Sequence, residues 1–138
     1  MIVVVDASVV LELLLRTKNA EKAERALFRP RQSLHAPHLL DIEVAQVLRR
    51  YFLNGELTSS RGRQALLDLR DIPIQRYPHH LFLDRIWALK NNVTAYDAAY
   101  LALSESLRAT LLTCDKRLKA AAGHRVNIQT IPAHPDSE

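Results

Sequence analysis

Four acidic residues stand where a cation-dependent reaction could use them: Asp6, Glu43, Asp97 and Asp115. Asp6 ends the apolar run Ile2-Val3-Val4-Val5, and Asp115 follows the run Leu111-Leu112-Thr113-Cys114. Glu43 and Asp97 each fall near the start of a helical pattern. Carboxylates so far apart in the chain meet only if a fold gathers them. Once gathered, they repel one another, and a cation relieves the repulsion. A donor set made of oxygens alone suits Mg²⁺ or Mn²⁺. Such an ion acidifies a water and polarises a phosphate, the chemistry of phosphodiester hydrolysis by in-line attack. No side chain stands out as a general base, and ion-assisted chemistry removes the need for one. The spacing does not tell one metal ion from two.

Each acid also has an ordinary structural reading. Asp6 and Asp115 directly precede helical stretches, where Asp is a favoured N-cap. Asp97 falls in a first helical turn, where the helix dipole favours a carboxylate. Glu43 resists such an explanation. It lies three residues after Leu40 and four before Val47, on the stripe Leu40, Val44, Val47, Leu48, Tyr51. A carboxylate on a core-facing stripe is costly unless an Arg or a metal pairs with it, and both remain open. Asp41 and Glu12 carry no comparable argument and are left outside the set.

Two hydroxyls are placed to support the acids. Ser8, two residues after Asp6, either caps the first helix or steadies a water at the site. Thr113 suits similar work. Tyr96 and Tyr100 read as core or lip residues. The six His residues show no metal-ligand spacing, and one Cys cannot complete a zinc quartet.

The bulk properties suit a polyanionic substrate. The net charge of +4 understates the basic surface. With four of the fifteen acids withdrawn to a site, the rest of the chain sets nineteen bases against eleven acids. Fourteen of those bases are Arg, the side chain that grips phosphate bidentately. Local clusters occur at Arg49-Arg50, at Arg61 and Arg63, and at Lys116-Arg117 with Lys119. Lys116 and Arg117, beside Asp115, are the candidate contacts to such a substrate. An acidic pocket in a basic shell favours a polyanionic substrate. The single cysteine, Cys114, excludes an intrachain disulfide and suits a reducing cytoplasm. Its place at the end of an apolar strand marks it as a small buried thiol. The apolar start is too short for a signal peptide or a membrane span.

These acids need elements to carry them. Residues 2–5 read as a buried strand, followed by a helix from Ala7 to Leu15. A second helix spans Asn19 to Phe28, and a short strand spans Ser33 to Ala36 before Pro37. The chain then predicts helices from Leu39 to Phe52, closed near Gly55, and from Ser60 to Leu69. A strand from Ile72 to Arg76 follows, which Pro73 assigns to a sheet edge. Helices are expected over His79 to Lys90 and over Thr94 to Leu107. The latter is apolar on nearly all sides and therefore buried. Thr110 to Thr113, Lys116 to Ala122 and Ile128 to Ile131 complete the series as strand, helix and strand. Strands alternating with helices predict a parallel sheet covered on both faces. In such sheets ligands bind beyond the carboxyl ends of the strands. If the first and fourth strands are central neighbours, Asp6 and Asp115 meet there. Residues 1–131 are expected to form one domain, and 132–138 a frayed tail.

Several pieces, in order, resemble the PIN-domain family, and within it the VapC-type toxin ribonucleases of bacterial toxin–antitoxin pairs. Val4-Val5-Asp6-Ala7-Ser8 is similar to the family's opening strand, Asp and following hydroxyl residue. Glu43 sits in the helix after the second strand, as the family's Glu does. Thr94-Ala95-Tyr96-Asp97-Ala98-Ala99-Tyr100-Leu101-Ala102-Leu103 is the most specific piece. Leu111-Leu112-Thr113-Cys114-Asp115-Lys116-Arg117-Leu118 supplies the last, with Cys114 where a small residue is usual. The resemblance runs to about Ile131. It implies a PIN-like three-layer α/β/α fold with a central parallel sheet of four or five strands. It also implies Mg²⁺- or Mn²⁺-dependent cleavage of single-stranded RNA, a homodimer, and inhibition by a small antitoxin. Asp6, Glu43, Asp97 and Asp115 are then the catalytic and metal-holding residues.

Other functions fit less well. A haloacid-dehalogenase-like phosphatase needs a second Asp where this chain has Ser8. No Gly-rich phosphate loop is present. A housekeeping RNA-processing nuclease of the same fold remains the nearest rival. A PIN-like module that binds RNA or a partner without cutting is the non-enzymatic one.

Overall fold

A computed structural model of the chain describes residues 1–132. Five strands form one sheet: β1 (Ile2–Val5), β2 (Ser33–Pro37), β3 (Ile74–Tyr77), β4 (Thr110–Thr113) and β5 (Ile128–Thr130). Their order is β3-β2-β1-β4-β5, with every pairing parallel. Seven helices cover it: α1 (Ala7–Leu14), α2 (Ala20–Leu27), α3 (Leu39–Leu53), α4 (Ser59–Asp71), α5 (Leu83–Ala88), α6 (Ala95–Leu107) and α7 (Lys116–Ala120).

The period-two alternation of β-branched and leucine residues builds a core on each face. Val3 and Val5 turn with Leu34, Ala36 and Leu112 toward α1 to α4. Val4 turns with Leu111 and Ile128 toward α6 and α7. Helix α6 is buried from Ala98 through Ser104, as its all-round apolar pattern predicts. The sheet therefore runs between two apolar layers.

Two elements differ from the sequence pattern. His79 to Lys90 is not one helix. A 3₁₀ turn spans His79–Phe82 and α5 follows from Leu83. Pro78 sets the extended entry, and the N–H of Leu83 bonds to His80 O, three residues back. The third strand starts at Ile74 rather than Ile72. The N–H of Ile72 is spent on Asp68 and Leu69 carbonyls, where α4 ends. Pro73 then has no N–H to give the ladder, so pairing begins one residue later. As Pro73 predicts, β3 is an edge strand. The expected tail lies, from residue 133 on, outside the described residues.

Candidate active site

The sheet order makes β1 and β4 central neighbours, with Val5 opposite Leu112. The next residues on each strand are Asp6 and Thr113. The Asp6 N–H bonds to Leu112 O at 3.2 Å, which holds the two strand ends in step. Asp6 is buried, at 8% exposure. Its Oδ1 accepts from Ser8 N at 3.1 Å and from Ser8 Oγ at 2.5 Å. Its Oδ2 accepts from the Thr113 hydroxyl. The same Thr113 oxygen accepts from Asp115 N at 3.0 Å, and Ser8 Oγ accepts from Cys114 N at 2.9 Å. Ser8 and Thr113 therefore fix the Asp6 carboxylate and tie it to the strand end that carries Asp115. Ser8 does not cap α1, because Asp6 itself is the N-cap.

The remaining acids arrive on helices that point their N-termini toward this strand end. Asp97 lies in the first turn of α6, where Thr94 is the cap and accepts from Asp97 N at 3.1 Å. Glu43 lies in the second turn of α3. No Arg answers it; among the described residues, its hydrogen-bond partner is the Tyr100 hydroxyl at 2.5 Å. Asp115 caps α7 and accepts from Arg117 N at 2.9 Å. The Arg117 guanidinium also reaches the Asp115 oxygens at 3.2 and 3.3 Å. That ion pair is largely exposed on the arginine side, so it is weak and easily opened.

The electrostatics join the four acids, with Asp97 as the hub. Burial raises the Asp6 carboxyl to about 6, against its bonds to Ser8 and Thr113, and the Asp97 charge adds to the rise. Burial also raises Glu43, and again the Asp97 charge adds to it. Asp97 is raised by burial and then by the charge of Asp115. Tyr100 is pushed far up by its own burial and by Glu43, Asp6 and Asp97. Its hydroxyl thus stays a donor. This is the pattern of carboxylates crowded together with only the charge of Arg117, beside Asp115, lowering Asp97 in return.

The donor set fits a hard divalent cation. It is all oxygen, and added positive charge would reverse each of these shifts. Among the described residues, no three His, Cys, Asp or Glu side chains enclose an ion by themselves. A hard cation here would complete its shell with waters and substrate phosphate, as Mg²⁺ does. Zinc, with its closed N/S tetrahedra, does not fit.

Sequence reasoning set aside two further acids, Glu12 and Asp41. Glu12 is buried, at 1% exposure, and accepts from the Thr17 hydroxyl across the α1–α2 turn. Its charge is felt at Cys114. Cys114 is half-buried, and burial pushes its thiol up to about 12, so it is inert. Asp41 forms a bidentate pair with Arg76 at 2.8 and 2.9 Å, a bond between α3 and the edge strand. Tyr96 is at the lip, 62% exposed, whereas Tyr100 is core and site at once. A cleft of about 460 Å³ runs from Ser8 and Glu43 between α1 and α3, lined by Leu11, Leu15, Ile42 and Val47.

Residues 3–124 match the family model for the PIN domain. The chain belongs to the PIN-domain family, among the VapC ribonucleases. It is 38% identical over 130 residues to "VapC ribonuclease Mb0985" of Mycobacterium bovis, covering 94% of this chain and 98% of that protein. It is 40% identical over 129 residues to "Ribonuclease VapC1" of Mycobacterium tuberculosis, covering 93% and 96%. The fold is similar to that of VapBC2 from Rickettsia felis, solved bound to a DNA fragment from its promoter. That match has a TM-score of 0.67 at 10% identity, over 94% of this chain and 98% of the other. The five-stranded parallel sheet and its helical layers are thus those of the family.

Proposed function

We propose that this chain is a Mg²⁺- or Mn²⁺-dependent endoribonuclease that cuts single-stranded RNA as a toxin and is neutralised by a cognate antitoxin. One observation carries the chemistry: Asp97 shares its field with Asp6, Glu43 and Asp115 at the carboxyl end of the sheet. The ribonuclease names of its relatives support the activity. Asp6, Glu43, Asp97 and Asp115 would hold the cation. When bound, it acidifies a water and offsets the charge of the scissile phosphate. Ser8 and Thr113 keep both Asp6 oxygens oriented, and Tyr100 keeps Glu43 oriented. Arg117, once released from Asp115, can meet a phosphate of the strand, with Lys116 beside it.

The apolar cleft supports an antitoxin seat. It opens beside Ser8 and Glu43, and its rim includes Ile42 at 69% exposure. An amphipathic segment laid in it would deliver a basic side chain to the carboxylates, replacing the cation's charge. A second copy of the chain has its own candidate face in Leu81, Leu83 and Trp87, exposed by 66, 59 and 70%. No helix among the described residues is long and apolar enough to cross a membrane.

The test is mapping of new RNA 5′ ends across the transcriptome after brief expression of wild type and of Asp97→Asn. Discrete new ends are expected with wild type alone. Ends that also form with Asp97→Asn, or no new ends with wild type, would remove the proposal.

A further inference from the structure

A polar hollow of about 520 Å³ opens at the amino end of the sheet, opposite the carboxylates. It is lined by Ser104, Glu105, Arg108, Thr110, Arg125 and Asn127. Arg108 and Arg125 are exposed, and among the described residues neither has an ion pair. The one carboxylate in the hollow is already spent, because Arg85 holds both Glu105 oxygens at 2.9 and 3.1 Å. Asn127 Nδ2 donates to Thr110 Oγ1 at 3.2 Å, which leaves its second amide hydrogen and the hydroxyl hydrogen free to donate. Two free guanidiniums and two neutral donors, with no free acid, make a phosphate-shaped electrostatic environment.

The backbone that carries these groups is fixed. Gly123 O accepts from Arg85 at 2.7 Å. Gly123 has φ 91°, and a Cβ there would meet Asn92 Nδ2 at 2.6 Å, so the connection before β5 lies tight on the α5 side. His124 then holds the chain, with Nε2 3.0 Å from Leu118 O and Nδ1 accepting from Val126 N at 3.1 Å. Arg125 sits between these anchors. Arg108 is the C-cap of α6 with φ 52°. That is a left-handed position where Gly is the usual choice and a longer side chain carries strain. The chain nonetheless places an arginine there.

Both ends of the path are marked on the same elements. Along α6, Arg108 lies eleven positions after Asp97, about 16 Å at the helical rise. Along β4 and the two residues beyond it, Asp115 lies five positions after Thr110, again about 16 Å for an extended chain. Between them α7 carries Lys116, Arg117 and Lys119. Residues 108–125 thus hold five Lys and Arg against one acid, Asp115.

We propose that Arg108 and Arg125, with Thr110 and Asn127, form a distal phosphate-binding site that grips the RNA strand about 16 Å from the point of cleavage. This rests on the ribonuclease reading and adds a second anchor to it. At the stacked spacing of about 3.4 Å, the span is roughly five nucleotides.

The test is a length ladder of fluorescent single-stranded RNA, from three to twelve nucleotides, bound to full-length protein by anisotropy. An Asp97→Asn background with Mg²⁺ keeps the strands whole. Affinity should step up by roughly tenfold once an oligomer can span the distance. Arg108→Gly combined with Arg125→Gln should abolish that step and lower the salt slope for long oligomers by about 1.4, or 0.7 for each phosphate contact. Arg108→Gly also removes the strained backbone position, so its melting temperature should hold or rise, separating binding from folding. Arg25→Gln, an exposed arginine on α2, should leave the ladder unchanged. A step that survives the double variant, equal losses at every length, or the same loss in Arg25→Gln would overturn the distal site. Wild type that cuts and binds RNA with no length step sinks this inference alone. Wild type that neither cuts nor binds RNA of any length sinks the ribonuclease reading.

Discussion

The Tyr100 hydroxyl donates to Glu43 Oε1 at 2.5 Å and joins α6 to α3 across 57 positions of sequence. Tyr100 is 2% exposed and Glu43 half-buried, so this bond stands where an Arg would otherwise answer the carboxylate. Tyr100→Phe should therefore cost about 1–2 kcal/mol of stability, read by chemical denaturation. It should also raise the Mg²⁺ concentration needed for half-maximal cleavage, because Glu43 loses both its orientation and a bond that lowers its pKa. An unchanged Mg²⁺ requirement would make the hydroxyl purely structural.

Stability without metal should depend on pH in a defined direction. Asp6 has a folded-state pKa of about 6, above its ordinary value of 3.8. A raised carboxyl contributes stability that is complete below the unfolded pKa and lost as pH rises through the folded one. Relative to wild type, Asp6→Asn should gain stability between pH 4 and pH 7, by up to about 3 kcal/mol. Glu43 and Asp97, raised in the same direction, add to the trend in the wild-type protein. Denaturant titrations at each pH in EDTA measure it, and Mg²⁺ should restore part of the loss at neutral pH. A pH-independent difference would mean that Asp6 is not the strained group.

Asp97→Asn separates crowding from capping. Asp6 and Asp115 are true N-caps as well as site acids, so their variants mix two effects. Asp97 is not a cap, because Thr94 is. Neutralising Asp97 should leave the metal-free melting temperature equal or higher. A loss of about 1 kcal/mol would instead point to a carboxylate that merely serves the helix dipole.

The parts of the site that a strand end or an amphipathic stripe can announce were readable in the chain. An apolar run that stops at Asp marks Asp6 and Asp115, and the sheet order then makes them neighbours. Glu43 stood out because it broke an apolar stripe. The partner of Glu43 was not readable, since nothing local in Tyr100 distinguishes a core tyrosine from one aimed at a helix 57 positions away. The burial of Glu12 was not readable for the same reason. Its side chain is buried and accepts from the Thr17 hydroxyl, which the turn after α1 brings back to it. The 3₁₀ turn at His79–Phe82 escaped because its geometry is set by the entry from Pro78, while its composition is helical.

Control by a partner should map to the cleft between α1 and α3. Ile42→Asp, on its exposed rim, should weaken antitoxin binding by at least about tenfold, with the fold intact. Co-expression of the toxin with the adjacent reading frame, followed by growth and pull-down measurements, checks this. Changing that frame's Arg and Lys residues singly to Ala should identify the side chain that meets Asp6, Asp97 and Asp115. Full neutralisation of Ile42→Asp would move the partner to another face.

The central claim is that four carboxylates hold a cation that cuts RNA. The most direct measurement is the cleavage rate of a defined single-stranded RNA by purified protein, across a Mg²⁺ titration, for wild type and Asp97→Asn. Cleavage by wild type should saturate with Mg²⁺, vanish in EDTA and return when the ion is added back. Asp97→Asn, folded by its melting curve, should lose roughly a hundredfold or more in rate at every Mg²⁺ concentration. Cleavage that persists in EDTA, or an Asp97→Asn rate equal to wild type, would contradict the account.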